Sequence, residues 1–454
     1  MTQAKVVGNS QPAQSITAER IAALPAIQRV AWERYLARSQ RQMQTDRAAL
    51  RREMEAAHLK QPLLPPESNS ARSIPLDKPA AWYAGSDARH IADIIVSFQT
   101  PAGGWSKNLN MADHLRRPGE SFAPNNMSLH LGPDDFDQPR DPAWNYVGTF
   151  DNDATITEME FLAKVISASA AEPSAEPSSG KETAAYKASF LAGVGYVFAA
   201  QFPNGGWPQV YPIEGGYHDA ITFNDNALTN TIALLQGIAA GQQPYAFAPA
   251  SVRSRAASAV ERGIACILAA QITTPAAPGS PAHKTVWPQQ DDPLTLQPVS
   301  GRNFEPAAQS AGESANVLMF LMSLPTPDAA IVKAVNEGAA WLKKNAIYGQ
   351  AFTRTPDGRR LIPSPGAGPI WARYYAIGSD QPIFGDRDKS IHDNVNELSL
   401  ERRNGYAWYG GGEQRALDRY AVWSRERGKP AAPAAMRSLP PVSSKAGPLA
   451  NFPA

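Results

Sequence analysis

The chain has 454 residues, enough to bury a substantial core in one large domain or in two or three small ones. Its 43 Lys and Arg offset 42 Asp and Glu, a formal net charge of +1, so bulk charge announces neither nucleic acid nor membrane, and an acidic ligand must be met by local charge. Apolar and charged fractions are those of a globular protein, the single Cys266 excludes an intrachain disulfide, and no run of about 18 apolar residues marks a membrane span.

The start, Met1-Thr-Gln-Ala-Lys-Val-Val-Gly8, lacks the apolar core of a signal peptide. From Thr17 to Leu59 the chain is rich in Ala, Arg, Glu and Leu, which predicts one or two helices. Arg41 to Glu55 is charged on nearly every face and reads as a solvated helix. Gln61 to Pro79 carries prolines and serines and reads as a connector, so 1–79 forms an N-terminal helical segment with its linker. The main body is expected over 80–428. Ala168 to Gly180 and Pro275 to His283 read as surface insertions, and 429–454 as a loose tail.

Within the body, helices are predicted at Asp153–Ser167, where Asp and Thr stand in capping positions, and at Asn224–Ala239, Glu313–Leu324 and Ala329–Asn345. Alternating strand runs are few; Thr353 to Ile362 predicts one hairpin around Pro356-Asp357-Gly358. One phrase repeats. Ile91 to Gln99 runs into Gly103-Gly-Trp105, and Val194 to Gln201 into Gly205-Gly-Trp207. Gly263 to Gln271 is followed, after an insertion, by Val286-Trp-Pro-Gln289. Such a repeat signals a stacked helix-plus-turn unit. It predicts an all-α toroid of helical hairpins, with each turn aiming a tryptophan at a common face and functional loops at one end.

Two acidic phrases stand at helix starts: Gly148-Thr-Phe-Asp151-Asn152-Asp153 and Ile221-Thr-Phe-Asn224-Asp225-Asn226. Their hard oxygens suit calcium, although Asp and Asn at such places are also ordinary caps. The spacing is not that of an EF-hand. Arginines cluster in later loops: Arg302 in Ser300-Gly-Arg-Asn-Phe-Glu305, Arg373 in Trp371-Ala-Arg-Tyr-Tyr375, and Arg387 in Phe384-Gly-Asp-Arg-Asp388. Guanidinium forks bind carboxylates. Each could equally pair with a near acid, Arg302 with Glu305 and Arg387 with Asp386 or Asp388. Aromatic rings beside them suit sugar faces, or fill the core.

Taken jointly, Gly103-Gly-Trp-Ser-Lys-Asn108, Thr149-Phe-Asp-Asn-Asp-Ala-Thr155, Gly205-Gly-Trp-Pro-Gln209, Thr222-Phe-Asn-Asp-Asn-Ala227, Gly301-Arg-Asn-Phe-Glu-Pro306, Trp371-Ala-Arg-Tyr-Tyr375, Gly385-Asp-Arg387 and Glu401-Arg-Arg-Asn-Gly-Tyr-Ala-Trp-Tyr409 resemble the pectate lyases of polysaccharide lyase family 10. The resemblance covers roughly 80–415. It implies an (α/α)3 toroid and calcium-dependent β-elimination on polygalacturonate at alkaline pH. By the resemblance, Asp151, Asp225 and the weaker candidate Asn152 bind Ca2+, and Arg302 is the base. Arg373 and Arg387 hold substrate carboxylates, and Lys107 serves a subsite. An arginine base must be brought down from above pH 12, which neighbouring cations favour and substrate anions oppose. The long loop from Met111 to Tyr146 and the Ala168 insertion depart from the family pattern. The expected partner is an acidic polysaccharide, polygalacturonate; the protein is expected to be a monomer that acts outside the cell or in the periplasm.

The rival readings are an inverting glycoside hydrolase using Asp151 and Asp225 as acid and base, and a non-catalytic polyuronate-binding protein. A terpene-cyclase-like enzyme would want a DDxxD motif, which Asp291-Asp-Pro-Leu-Thr295 does not supply.

Overall fold

The computed structural model describes residues 5–67, 73–128, 130–171, 177–274 and 282–427. The tail expectation over 429–454 lies outside them, as do most of the expected insertion at Pro275 to His283 and part of the one at Ala168 to Gly180. Among the described residues no helix is long and apolar enough to cross a membrane. The fold class is mostly helical, built from paired helices with short strands between them.

The chain divides into two compact units. One comprises Gln11–Gln271 and Pro288–Arg302. Its long N-terminal helix, Ala26–Ala56, buries Trp32 and Tyr35 against Phe202, with ring centroids 5.3 and 4.9 Å apart. The Tyr35 hydroxyl donates to the Ala200 carbonyl at 3.1 Å. The stretch read as solvated is anchored on one side. Asp46 and Leu50 are buried there, and burial pushes the Asp46 carboxyl up to about 7. Ser86–Phe98 packs on both Ile156–Ala171 and Pro177–Ala200, which also pack on each other. Ala227–Ala240 pairs with Ala250–Ala270. In the last of these, Cys266 fills core space as its apolar neighbours predict.

The other unit holds the described residues of Met1–Ser10, Ile272–Trp287 and Asn303–Ala454. Helices Ala311–Ser323, Ala329–Lys344 and Gln414–Arg427 pack together. A five-stranded sheet runs in the order Val6–Asn9, Ser390–His392, Pro382–Gly385, Tyr374–Tyr375, Gln309–Ser310, every pair antiparallel. The hairpin expected around Asp357 is present as Gln350–Thr355 and Gly358–Pro363. The sheet was not legible, because strands of two to four residues show too little alternation to read.

Candidate active site

The repeated phrase is a structural unit. In its first copy Gly103 N–H donates to the Thr100 carbonyl and Thr100 N–H to the Gly104 carbonyl, closing the turn. Gln99 Nε2 then straps it, donating to Gly103 O at 2.8 Å and to Ser189 O of the following long helix at 2.9 Å. The second copy repeats this: Gln201 Nε2 donates to Gly205 O at 3.0 Å and to Ala259 O at 2.9 Å. Glycine is required because the turns have φ of +103° and +96°, and a Cβ would stand 2.4 Å from Ala192 O or 2.2 Å from Arg262 O.

The tryptophans do not face a ligand. Trp105, Trp207 and Trp287 are fully buried. Trp105 Nε1 donates to Ile95 O and Trp207 Nε1 to Val197 O, at 2.7 and 2.8 Å. The expectation that the turns aim rings at a common face is therefore corrected: indole is too large an apolar surface to leave in water when a core is at hand. What each turn offers is the residue two places on, Lys107, Gln209 or Gln289, and the backbones of Gln209 and Gln289 pair with the acidic phrases. Phe150 N–H donates to Gln209 O at 3.0 Å and Phe223 N–H to Gln289 O at 2.9 Å.

Lys107 and Gln209 converge on Asp151. The Lys107 ammonium lies 2.5 Å from Asp151 Oδ2 and Gln209 Nε2 donates to Oδ1 at 3.1 Å. Lys107 Nζ also sits 3.5 Å from the centroid of the Tyr146 ring. Burial opposes ionisation of Asp151, but Lys107, Arg302 and Gln209 outweigh it and hold the carboxyl below its usual range. Arg302 thus belongs to the same cluster, its charge bearing on Asp151, Tyr146 and Tyr217.

The turns Asp151–Asp153 and Asn224–Asn226 pack on each other. Their backbones superpose in register: Asn152 and Asp225 have φ/ψ of 51°/38° and 50°/26°, and Asp153 and Asn226 follow with φ of 61° and 60°. Asp225 is thus the repeat counterpart of Asn152, and Asn224 that of Asp151. Asn152 and Asp225 are both exposed at the turn tips. The cap reading fails for the second phrase, since Asn226 makes no side-chain cap bond to the Ala227–Ala240 helix. Consecutive left-handed residues hold the side chains away from the helix end.

Sequence reasoning missed a polar network behind Lys107. Tyr146 and Tyr217 hydroxyls are 3.0 Å apart, and Tyr217 donates to Asp137, which also accepts from Ser128 Oγ. The His218 ring packs edge-on to Tyr146 and tilted against Tyr217, with centroids 4.5 and 4.3 Å apart, and burial first of all depresses its imidazole to about 4. Gln209 was missed too, although its place in the repeat, opposite Lys107, was a readable signal.

The donor set around Asp151 fits a hard cation. It offers the carboxylates of Asp151 and Asp225 and the amide oxygen of Asn152, and two buried amide oxygens close by, Gln209 Oε1 and Asn226 Oδ1, have no hydrogen-bond partner. Among the described residues no three His, Cys, Asp or Glu converge as a metal cage, so remaining ligands would come from water or a bound anion.

Arg373 and Arg387 lie in the other unit. Arg373 pairs with Glu313 at 2.8 Å, and its guanidinium stands 4.8 Å from the Tyr406 ring. Burial disfavours its charge, but Glu313 and the neighbouring phenols and Glu305 hold the proton more firmly than usual. Tyr406 donates to Glu305 at 2.7 Å. Arg387 forks onto Glu401 at 2.9 and 3.1 Å, so the pairing with Asp386 or Asp388 is corrected. Asp386 instead accepts from the Ser399 backbone and hydroxyl, and Asp388 from Ser390.

The family model described as pectic acid lyase matches residues 99–416. Comparison with curated protein sequences gives no match. Among solved structures, the Family 10 polysaccharide lyase from Cellvibrio cellulosa is similar at 29% identity over 79% of this chain and 99% of that one, with a TM-score of 0.59. A mutant of that lyase in complex with trigalacturonic acid is similar at 28% identity, over 80% of this chain and 100% of that one, with the same TM-score of 0.59.

Proposed function

The chain belongs to the pectic acid lyase family and is a polysaccharide lyase, and from that premise we propose that it cleaves polygalacturonate by calcium-dependent β-elimination. The observation that carries the proposal is the convergence of Lys107, Gln209 and the Arg302 charge on buried Asp151, against a turn that bears Asp225.

Arg302 acts as the base. It takes the proton from C5 of a galacturonate, the electron pair forms the C4–C5 double bond, and the C4–O bond breaks with its electrons going to the departing sugar oxygen, which is protonated from solvent. Asp151, Asp225 and Asn152 would hold a calcium ion. When bound, that ion would share the uronate carboxylate, neutralise Asp151 and so lower the charge that builds up at the carbon. Lys107 orients a substrate carboxylate once drawn off Asp151, and in the other unit Arg373 and Arg387 bind substrate carboxylates. The ligand printed for the solved relative, trigalacturonic acid, is a uronate of this class. An extracellular or periplasmic place of action follows from the same proposal, since the polymer lies outside the cell.

The hydrolase reading needs one carboxyl raised to serve as general acid. Asp151, held below its usual range, could serve there only as the base, which leaves the acid to Asp225. Mass analysis of the products separates the two: elimination leaves a new non-reducing end one water lighter than hydrolysis does. Products carrying the added water would overturn the proposal.

A further inference from the structure

We propose that the Gln350–Thr355 and Gly358–Pro363 hairpin is a second binding surface for the anionic polymer, outside the cleavage site, which holds chains longer than the bound segment. The inference rests on the function proposed above, in which Arg387 clamps a uronate carboxylate.

Arg354 and Arg359 are direct cross-strand partners in this hairpin. Like charges facing each other across an antiparallel pair are unfavourable. Yet neither pairs with an acid among the described residues. The Arg359 guanidinium instead lies 4.8 Å from the Phe352 ring, and Phe352 continues to Tyr409 at 5.5 Å. Guanidinium beside aromatic rings on one face is the chemistry that recognises an acidic sugar: the fork takes the carboxylate and the ring takes the apolar side of the pyranose.

The hairpin and Arg387 are joined by a series of polar contacts within the same unit. Arg387 and Arg402 both bind Glu401. Arg403, next in the chain, donates to the Asp357 carbonyl at 2.6 Å, and Arg360 pairs with the Asp357 carboxylate at 3.6 Å. The Arg359 main-chain N–H donates to Asn404 Oδ1 at 2.7 Å, in the Leu400–Gly405 helix that also carries Arg402 and Arg403. Three guanidinium groups, Arg387, Arg402 and Arg360, are thus held by two carboxylates, and Arg403 by a backbone carbonyl, while Arg354 and Arg359 have no acid among the described residues. Burial and then the neighbouring arginines ease the proton off Arg359 and Arg403. A polyuronate extending from Arg387 would supply the anion that Arg354 and Arg359 lack. The proposal requires that a trimer held at Arg387 end short of Arg354 and Arg359.

The test compares full-length wild type with the double variant Arg354→Ser/Arg359→Ser, measuring KM and kcat on polygalacturonate and on trigalacturonate over a range of salt. The polymer KM rises about fivefold to tenfold in the variant, its salt dependence flattens, and KM for the trimer stays put. Arg354→Lys/Arg359→Lys, which keeps the charge and a cation beside Phe352, retains most of the polymer affinity. An unchanged polymer KM, or an equal rise for both substrates, overturns the inference. Electrophoretic retardation in a gel containing polygalacturonate reads the surface independently of turnover, so an inactive wild type that is still retarded through Arg354 and Arg359 would fault the lyase reading and keep this one. If retardation in DNA falls as much as in polygalacturonate, the patch is a general polyanion surface and the assignment fails.

Discussion

The Lys107 ammonium and the Asp151 carboxylate form an ion pair at 2.5 Å whose second oxygen is held by Gln209. Both partners are largely shielded from water. Such a pair keeps a buried carboxylate ionised and aimed, at the cost of leaving an uncompensated charge when either member is removed.

Lys107→Met should therefore destabilise the fold by about 3–5 kcal/mol, in denaturant unfolding near neutral pH. The sign in pH follows from Asp151. Its carboxyl is held below the unfolded value, so the pair's contribution is fully present above the ordinary Asp range and is lost as pH falls through the lowered folded value. The difference between wild type and variant should shrink as pH drops through that window. A difference that stays constant to the lowest pH at which wild type folds would contradict the assignment.

Gln209→Leu removes the donor to Asp151 Oδ1 and the partnerless Oε1 beside it. Activity should fall about tenfold to a hundredfold, and the calcium concentration for half-maximal rate should rise, as for other groups that orient a metal ligand. Titration calorimetry with calcium gives a readout apart from turnover. Wild-type affinity in the variant would count against a role for Gln209.

The turn glycines bear on stability alone. Gly205→Ala places a methyl 2.2 Å from Arg262 O at a φ of +96° and should cost about 2–4 kcal/mol. Gly195→Ala, in a helix with nothing within 4 Å of the new carbon, should be neutral or stabilising by about 0.5–1 kcal/mol. Thermal unfolding of the two variants checks the contrast.

Much of this was legible in the chain. The helices at Ala311–Ser323 and Ala329–Lys344 and the hairpin at Asp357 fall where spacing and turn residues put them, because local preference and tertiary packing agree there. The Gln-turn-Trp phrase marked its unit correctly, yet composition could not say whether tryptophan pointed in or out. Lys107, Asp151 and Arg302 come together; Arg387 finds Glu401, fourteen residues on, which no local rule selects. The five-stranded sheet and the Tyr146–Tyr217–Asp137 chain depend on contacts distant in sequence and left no periodic trace.

Glu158 offers a pH test of the fold. Burial raises its carboxyl to about 8. A raised acid favours the folded state below the unfolded value, and that benefit is lost as pH climbs from about 4.5 toward 8. Glu158→Gln should raise the melting temperature relative to wild type at pH about 9 more than at pH about 5. An equal shift at both would show that the carboxyl does not titrate between them.

Ultraviolet absorbance during incubation with polygalacturonate, for wild type and Arg302→Ala, tests the central claim most directly. With calcium, wild type should generate the conjugated unsaturated uronide, chelator should stop it, and added calcium should restore it. Arg302→Ala should bind oligogalacturonate but lose roughly two to four orders of magnitude in rate. A wild-type signal indifferent to chelator, or an Arg302→Ala enzyme as fast as wild type, would contradict the account.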